Sequence, residues 1–309
     1  MSQLQLRPLQ ASALDKVSAA FRAGHKRIML VAPCGFGKTE LAVAIQARAA
    51  ENQKTSGFIC DRISLVDQTS ARFDRYNIDH GVMQANHWRF KPSRLIQVCS
   101  IQTLIRRQWP DMSLMVVDEA HVLPEGLREK LMQRDTYAIG LSATPVTAGL
   151  ARYFDVVINA ATTNELIAAN LLVPCRIYSS TEPDMTDVPL IAGEWAEKEA
   201  SKRALEVVGD CVAEYKEKGA DKKFIAFAVD VAHAEELARQ FNASGIVTET
   251  YTYMVNDERR AQIIEEFRKP KSYIRGVISV ESLTRGFDVP DVEVLILARP
   301  LRKALAVHL

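Results

Sequence analysis

Short apolar runs of about strand length recur along the chain, and between them apolar positions return every three or four residues. That alternation predicts a parallel sheet whose strands are joined by helices. In the first half strands are expected at Arg27–Val31, Gly57–Cys60, Leu95–Ser100, Leu114–Asp118, Ala138–Ser142 and Asp155–Ile158. Helices are expected at Thr39–Ala50, which is rich in Ala, and at Leu65–Tyr76, whose spacing buries one face. From Pro174 to Gly193 the texture turns to Pro, Asp, Ser and Thr, as in Ser179-Ser180-Thr181-Glu182-Pro183-Asp184, which reads as a linker. A second block then predicts strands at Lys223–Val229, Val247–Thr252, Tyr273–Val280 and Val292–Ala298, with helices at Ala232–Asn242 and Asp257–Phe267. The fold class is therefore α/β, with two related domains over residues 1–170 and 201–309, a linker over 171–200, and a cleft expected between the domains.

Composition excludes several classes. At 309 residues, 48% hydrophobic and 25% charged, the chain is an ordinary globular sequence with ample material for two cores. No apolar run reaches the 18 residues of a membrane span, and the first ten residues are too polar for a secretory leader, so a cytoplasmic protein with no membrane partner is expected. Five cysteines without a C-x-x-C pair write neither a zinc site nor a redox dithiol, and are expected as reduced, mostly buried thiols. Net charge is +1, which argues against a strongly basic binder. Residues 1–170 nevertheless hold 20 Lys and Arg against 15 Asp and Glu, while the remainder holds 19 against 23. Phosphate contacts are thus expected in the first half.

Chemistry enters at Ala32-Pro33-Cys34-Gly35-Phe36-Gly37-Lys38-Thr39, between a predicted strand and a predicted helix. Glycines at 35 and 37 let backbone N–H groups turn inward around phosphate oxygens, and the helix N-terminus adds its positive end. Lys38 then reaches the terminal phosphates of ATP, and the Thr39 hydroxyl is a ligand for Mg²⁺. Ala32 stands where the strict pattern has Gly. A second signal is Val116-Val117-Asp118-Glu119-Ala120-His121, two carboxylates closing an apolar strand. In an ATPase of this type Asp118 holds the Mg²⁺ shell and Glu119 takes the proton of the attacking water. Lys38 and Glu119 are the catalytic candidates.

Taken together, these motifs resemble the superfamily 2 helicases and translocases, of the kind that carry a DEAH box, over nearly the whole chain. Leu6-Arg7-Pro8-Leu9-Gln10 is similar to that family's adenine-reading element, which adds Arg7 and Gln10 to an ATP site of Pro33, Cys34, Gly35, Phe36, Gly37, Lys38 and Thr39. Asp61 to Gln68, with Arg62, and Ser100-Ile101-Gln102-Thr103-Leu104 resemble the segments that grip a nucleic-acid backbone, with Arg62, Ser100 and Thr103 as contacts. Gly140 to Pro145 resembles the segment that couples hydrolysis to movement, through Ser142 and Thr144, with His121 linking it to the ATP site. Leu283 to Pro290 resembles the second-domain motif that completes the ATP site through Gly286 and Asp288. The resemblance implies two tandem RecA-like domains with an ATP cleft between them. Gly-Phe-Asp-x-Pro, DEAH and Leu-Arg-Pro-x-Gln are most similar to the RadD and type III restriction-subunit branch, so DNA is expected over RNA.

Two readings stay open. Trp88, Phe90 and Trp109, interleaved with Arg89, Lys91, Arg94, Arg106 and Arg107, suit base stacking, but aromatic packing under a basic surface loop is the better expectation. The family's last motif, which carries arginine fingers, does not occur before Leu309, and Arg302 and Lys303 lie too early for it. Impaired turnover is therefore expected of this chain, with a nucleotide-gated nucleic-acid-binding module as the alternative to a working motor. Polarity, substrate structure and oligomeric state are not written in the sequence.

Overall fold

A computed structural model describes residues 4–61, 63–133, 137–144, 149–178, 183–191, 194–280, 289 and 291–300 of the protein. The chain divides into two compact units after Cys175. Among the described residues the first unit carries strands β1 (Arg27–Val31), β2 (Ser56–Cys60), β3 (Gly81–Met83), β4 (Ile96–Ser100), β5 (Leu114–Val117), β6 (Tyr137–Ser142) and β7 (Val156–Asn159). Its helices are α1 (Pro8–Arg22), α2 (Lys38–Glu51), α3 (Ile63–Arg75), α4 (Ile101–Arg106), α5 (Glu125–Leu131) and α6 (Thr163–Ala168). The strands form one sheet in the order β3-β4-β2-β5-β6-β1-β7, with every neighbouring pair parallel.

A parallel sheet needs a crossover after each strand and cover on both faces, and the period-two division of its side chains meets that need. Ile28 and Leu30 of β1, Phe58 and Cys60 of β2 and Val116 of β5 join one core, packed under Val17 of α1, Leu41 of α2 and Phe73 of α3. Met29, Ile59, Met115 and Val117 point the other way, into a second core with Leu104 of α4 and Leu127 of α5. Loops leaving the C-terminal ends of the strands are where such sheets bind ligands. The order matters here: β5, β6 and β1 are adjacent, so the loops after them share one edge.

The second unit opens with an antiparallel pair, β8 (Leu190–Ile191) and β9 (Glu194–Trp195). It continues with α7 (Glu197–Glu206), α8 (Val208–Lys218), β10 (Lys223–Phe227), α9 (Val231–Ala243), β11 (Thr248–Tyr251), α10 (Asp257–Phe267), β12 (Gly276–Ser279) and β13 (Val292–Leu297). Its parallel sheet runs β11-β12-β10-β13. Phe224 of β10 packs with Tyr215 and Phe241, ring centroids 4.6 Å from each, beneath α8 and α9. Ile225 and Phe227 face the opposite side, with Ile263 and Phe267 of α10. Gly276 makes this possible, because a Cβ there would fall 2.0 Å from the Phe224 ring.

Both units are thus α/β with parallel sheets, as the apolar pattern predicts. The short pair β8–β9 and the start of α7 fall within the stretch read as linker. No helix among the described residues is long and apolar enough to cross a membrane. The cysteines are all free, but Cys34 and Cys175 are exposed rather than buried, since each sits in a loop outside the sheet.

Candidate active site

The loop after β1 is built on two left-handed residues, Gly35 (φ +78°) and Gly37 (φ +85°), a backbone region that disfavours any Cβ. Phe36 between them is buried in the core and fixes the loop from below. Gly37 caps α2, so Lys38 and Thr39 are its first two residues and their N–H groups lie at its positive end. Lys38 Nζ lies 3.3 Å from Ala32 O at the loop's start. Behind the loop, Arg7 Nη2 donates to Phe36 O (2.7 Å), and Gln10 Nε2 donates to Phe36 O (3.0 Å) and Gly37 O (3.2 Å). Gln10 Oε1 accepts from Arg7 N (2.9 Å) at the start of α1, so one end of its amide caps that helix and the other braces the phosphate loop.

Gly37 also lies against those braces, for a Cβ there would come within 2.5 Å of both Arg7 Nη2 and Gln10 Nε2. Gly37→Ala is expected to cost about 1–2 kcal/mol from the left-handed backbone alone, and to displace Arg7 and Gln10. A lowered denaturant midpoint together with weakened nucleotide binding is the expected result; an unchanged midpoint would show that the loop has room for a methyl group.

Asp118 and Glu119 follow β5 directly. Asp118 N donates to Ile59 O of β2 (2.9 Å), which holds the first acid to the sheet edge. Its carboxyl is pushed up to about 6, chiefly by burial, then by the neighbouring Glu119 carboxylate, while Lys38 pulls it down. Glu119 turns the chain out of the sheet with φ +48°, a left-handed conformation costing a non-glycine residue about 1–2 kcal/mol. His121 Nδ1 lies 3.2 Å from Glu119 Oε2 and 3.1 Å from Ser142 Oγ.

Ser142, fully buried at the end of β6, is the joint of the site. Its Oγ accepts from Thr144 N (3.0 Å) and meets His121, and its carbonyl accepts from Ala32 N (2.9 Å) at the start of the phosphate loop. Ala120 N donates to Leu141 O (2.9 Å) one residue earlier. The loops of β1, β5 and β6 are therefore hydrogen-bonded to one another through a single residue.

Mg²⁺ fits this donor set. No cluster of three His, Cys, Asp or Glu side chains that could hold a metal by itself occurs among the described residues. Mg²⁺ characteristically takes one or two carboxylates and keeps its remaining places for water and phosphate. An ill-solvated carboxyl at Asp118 and a hydroxyl at Thr39 match that habit.

The expected nucleic-acid contacts are less open than their types suggest. Ser100 is buried, and its Oγ donates to Gln102 Oε1 (2.7 Å), while Gln102 Nε2 in turn donates to Asp61 O. Thr103 Oγ1 accepts from Ala85 N (3.1 Å). Arg62, Pro145, Gly286, Asp288, Arg302 and the segment from Leu283 to Asp288 lie outside the described residues. The packing expected for the aromatics holds for Trp109, half-buried against the second core. It fails for Trp88 and Phe90, which are 77% and 47% exposed on a loop beyond the sheet edge.

The family model of the type III restriction enzyme res subunit matches residues 3–147, and that of the helicase conserved C-terminal domain matches residues 204–304. A 51.5 kDa protein of a Lactococcus phage is 24% identical over 89% of this chain and 59% of its own length. A Saccharomyces cerevisiae protein named as an ATP-dependent helicase is 25% identical over 96% of this chain and 47% of its own. The chain thus spans about half the length of the curated relatives it matches. Among solved structures, a fragment of a type I restriction enzyme HsdR subunit from Vibrio vulnificus superposes with a TM-score of 0.69 at 20% identity, covering 96% of this chain and 58% of that one.

Proposed function

Because the chain belongs to superfamily 2 of the helicases, we propose that it is an ATP-driven motor acting on nucleic acid, on DNA in preference to RNA. The observation that best supports a motor is the joint at Ser142, because a change at the phosphate loop reaches the Asp118–Glu119 turn and the Thr144 segment through one residue's hydrogen bonds. Lys38 and the N–H groups of residues 35–39 hold the β- and γ-phosphates of ATP. Thr39 and Asp118 would hold Mg²⁺, which supplies charge neutralisation as the γ-phosphate leaves. Glu119 orients the attacking water and takes its proton, and His121 carries the resulting change of charge to Ser142. Gly286 and Asp288 are assigned to the ribose side, and Arg62, Ser100 and Thr103 to the backbone of the track. With Ser100 buried, its contribution is through the backbone at the start of α4.

The preference for DNA rests on the restriction-subunit match of residues 3–147. Five free thiols suit a reducing compartment such as the cytoplasm. The test is the steady-state ATPase rate alone and with single-stranded DNA, duplex DNA or RNA. Stimulation by DNA above RNA is expected; equal rates with and without every polymer would overturn the motor reading, and tight binding of ATP and DNA without turnover would leave the gated binding module in its place.

Contacts to phosphate position a strand without reading it, so binding should weaken with salt and ignore sequence. For single strands the logarithm of affinity is expected to fall against that of salt with a slope of about −0.7 for each phosphate neutralised. Strong discrimination between unrelated sequences of equal length would contradict this.

A further inference from the structure

β3 is an edge strand, and the loop from its C-terminal end leaves the same end of the parallel sheet as the phosphate loop, the Asp118 turn and α4. That loop is a built object. Ala85 N–H ties it to Thr103 of α4, and Val82 N–H donates to Arg89 O (3.0 Å) across its base. Arg89 makes a two-pronged pair with Asp74 (2.5 and 2.9 Å), and its Nη1 lies 2.9 Å from Nε2 of the buried His80. The Arg89 guanidinium so fixed sits 4.7 Å from the Trp88 ring centroid, and the His87 ring lies 5.7 Å away at 28°. Trp88 is held in place, yet 77% of it stays in water. Phe90, also exposed, has the Arg107 guanidinium 5.9 Å from its centroid.

A single exposed aromatic needs no explanation, but Trp88 and Phe90 stand exposed on one built loop, each with a guanidinium beside its ring, an arrangement that suits a partner with flat faces. The charges beside Trp88 select the partner's chemistry. A hollow of about 290 Å³ beside the Trp88 ring contains Asp74 and Asp79, but each carboxylate is paired, with Arg89 and with Arg94 (2.9 Å). Arg89 and Lys91 line the same hollow, so its charges balance, which suits a neutral, polar-edged group such as a base. Arg106 and Arg107, exposed at the end of α4, supply the positive charge a neighbouring phosphate needs. We propose that Trp88, seated on Arg89, is a stacking platform for a base of single-stranded nucleic acid, with the adjoining phosphates on Arg106 and Arg107. This rests on the reading of the protein as a nucleic-acid motor and adds to it a contact that grips bases rather than backbone.

The probes are an oligothymidine and an abasic strand of equal length, each labelled for fluorescence anisotropy at fixed low salt. Trp88→Ala is expected to weaken oligothymidine binding about tenfold while leaving the abasic strand and ATP affinity unchanged, and Trp88→Phe is expected to restore most of the loss. In a Trp109→Phe, Trp195→Phe background Trp88 is the remaining tryptophan, and its emission should be quenched by oligothymidine and not by the abasic strand. Wild-type binding that Trp88→Ala leaves intact, with no quenching, would overturn the platform and spare the motor. Failure of the wild-type protein to bind either strand would overturn the platform, and the motor reading would fall with it if duplex DNA and RNA were not bound either.

Discussion

Glu119→Gln is expected to keep ATP affinity within about threefold of wild type and to lower turnover by about 10²- to 10⁴-fold, the usual range for loss of a general base. The amide has the size of the carboxylate and holds the left-handed turn at φ +48° equally well, so the loop geometry survives. What is lost is the proton acceptor, and with it the charge that faces His121 Nδ1 at 3.2 Å. Lys38→Ala should do the reverse. On the proposed reading Lys38 meets the phosphates, and removing one partner of a charge-assisted contact costs about 2–5 kcal/mol, or roughly 30- to 4,000-fold in affinity. Nucleotide titration and single-turnover hydrolysis of the two variants separate the roles. Equal loss of affinity in both would mean that Glu119 helps to hold the nucleotide and that the division of labour between the two acids is wrong.

Legibility in the sequence follows locality. α10 was readable to its ends, Asp257 and Phe267, because its signals lie within a few residues: Asn256 accepts from Arg259 N (2.8 Å) as its cap and two acids fill the first turn. The phosphate loop was readable for the same reason, since strand, glycines, lysine and helix are contiguous. β3 was not. Its three residues have no alternation to detect, and its place is set by partners far along the chain, with Gly81 pressed so close to Lys91 O and the Gln97 side chain that a Cβ would meet them at 2.4–2.5 Å. The first helix was missed although Pro8 stands at its first position, a start signal available in the sequence. Side-chain environment was the least readable property. Ser100 is of the type that binds phosphate but folds inward onto Gln102, while Trp88 is of the type that packs in cores but stands in water. Arg7 and Gln10 show the same limit in another way: the resemblance assigns them to adenine, and the fold adds hydrogen bonds to the phosphate loop that the sequence does not announce.

Asp118→Asn is expected to stabilise the nucleotide-free protein at pH 8 by about 2–3 kcal/mol while removing turnover. The folded protein holds the Asp118 proton to a pH of about 6, against 3.8 for an unhindered aspartate, because the charged form is buried beside Glu119. A group whose folded pKa is raised makes stability fall as pH climbs between those two values. Below about pH 4 the carboxyl is neutral in both states, and above about 6 the folded state carries a poorly solvated charge at roughly 1.4 kcal/mol for each pH unit between them. Asparagine keeps the oxygen that accepts from the Glu119 backbone and never ionises, so its advantage should be absent at pH 4, grow towards pH 6 and level off above it. For a unit of this size the gain corresponds to about 5–10 °C in Tm at high pH. Adding Mg²⁺ and ATP should narrow the difference or reverse it, because on the proposed reading the wild-type carboxylate holds the cation and the amide would bind it poorly. Thermal melts of both proteins across that pH range, with and without Mg²⁺ and ATP, decide the matter. An Asp118→Asn variant no more stable than wild type at pH 8 would mean that Lys38 already compensates the charge in the free protein, and that Asp118 is not held in reserve for a metal ion.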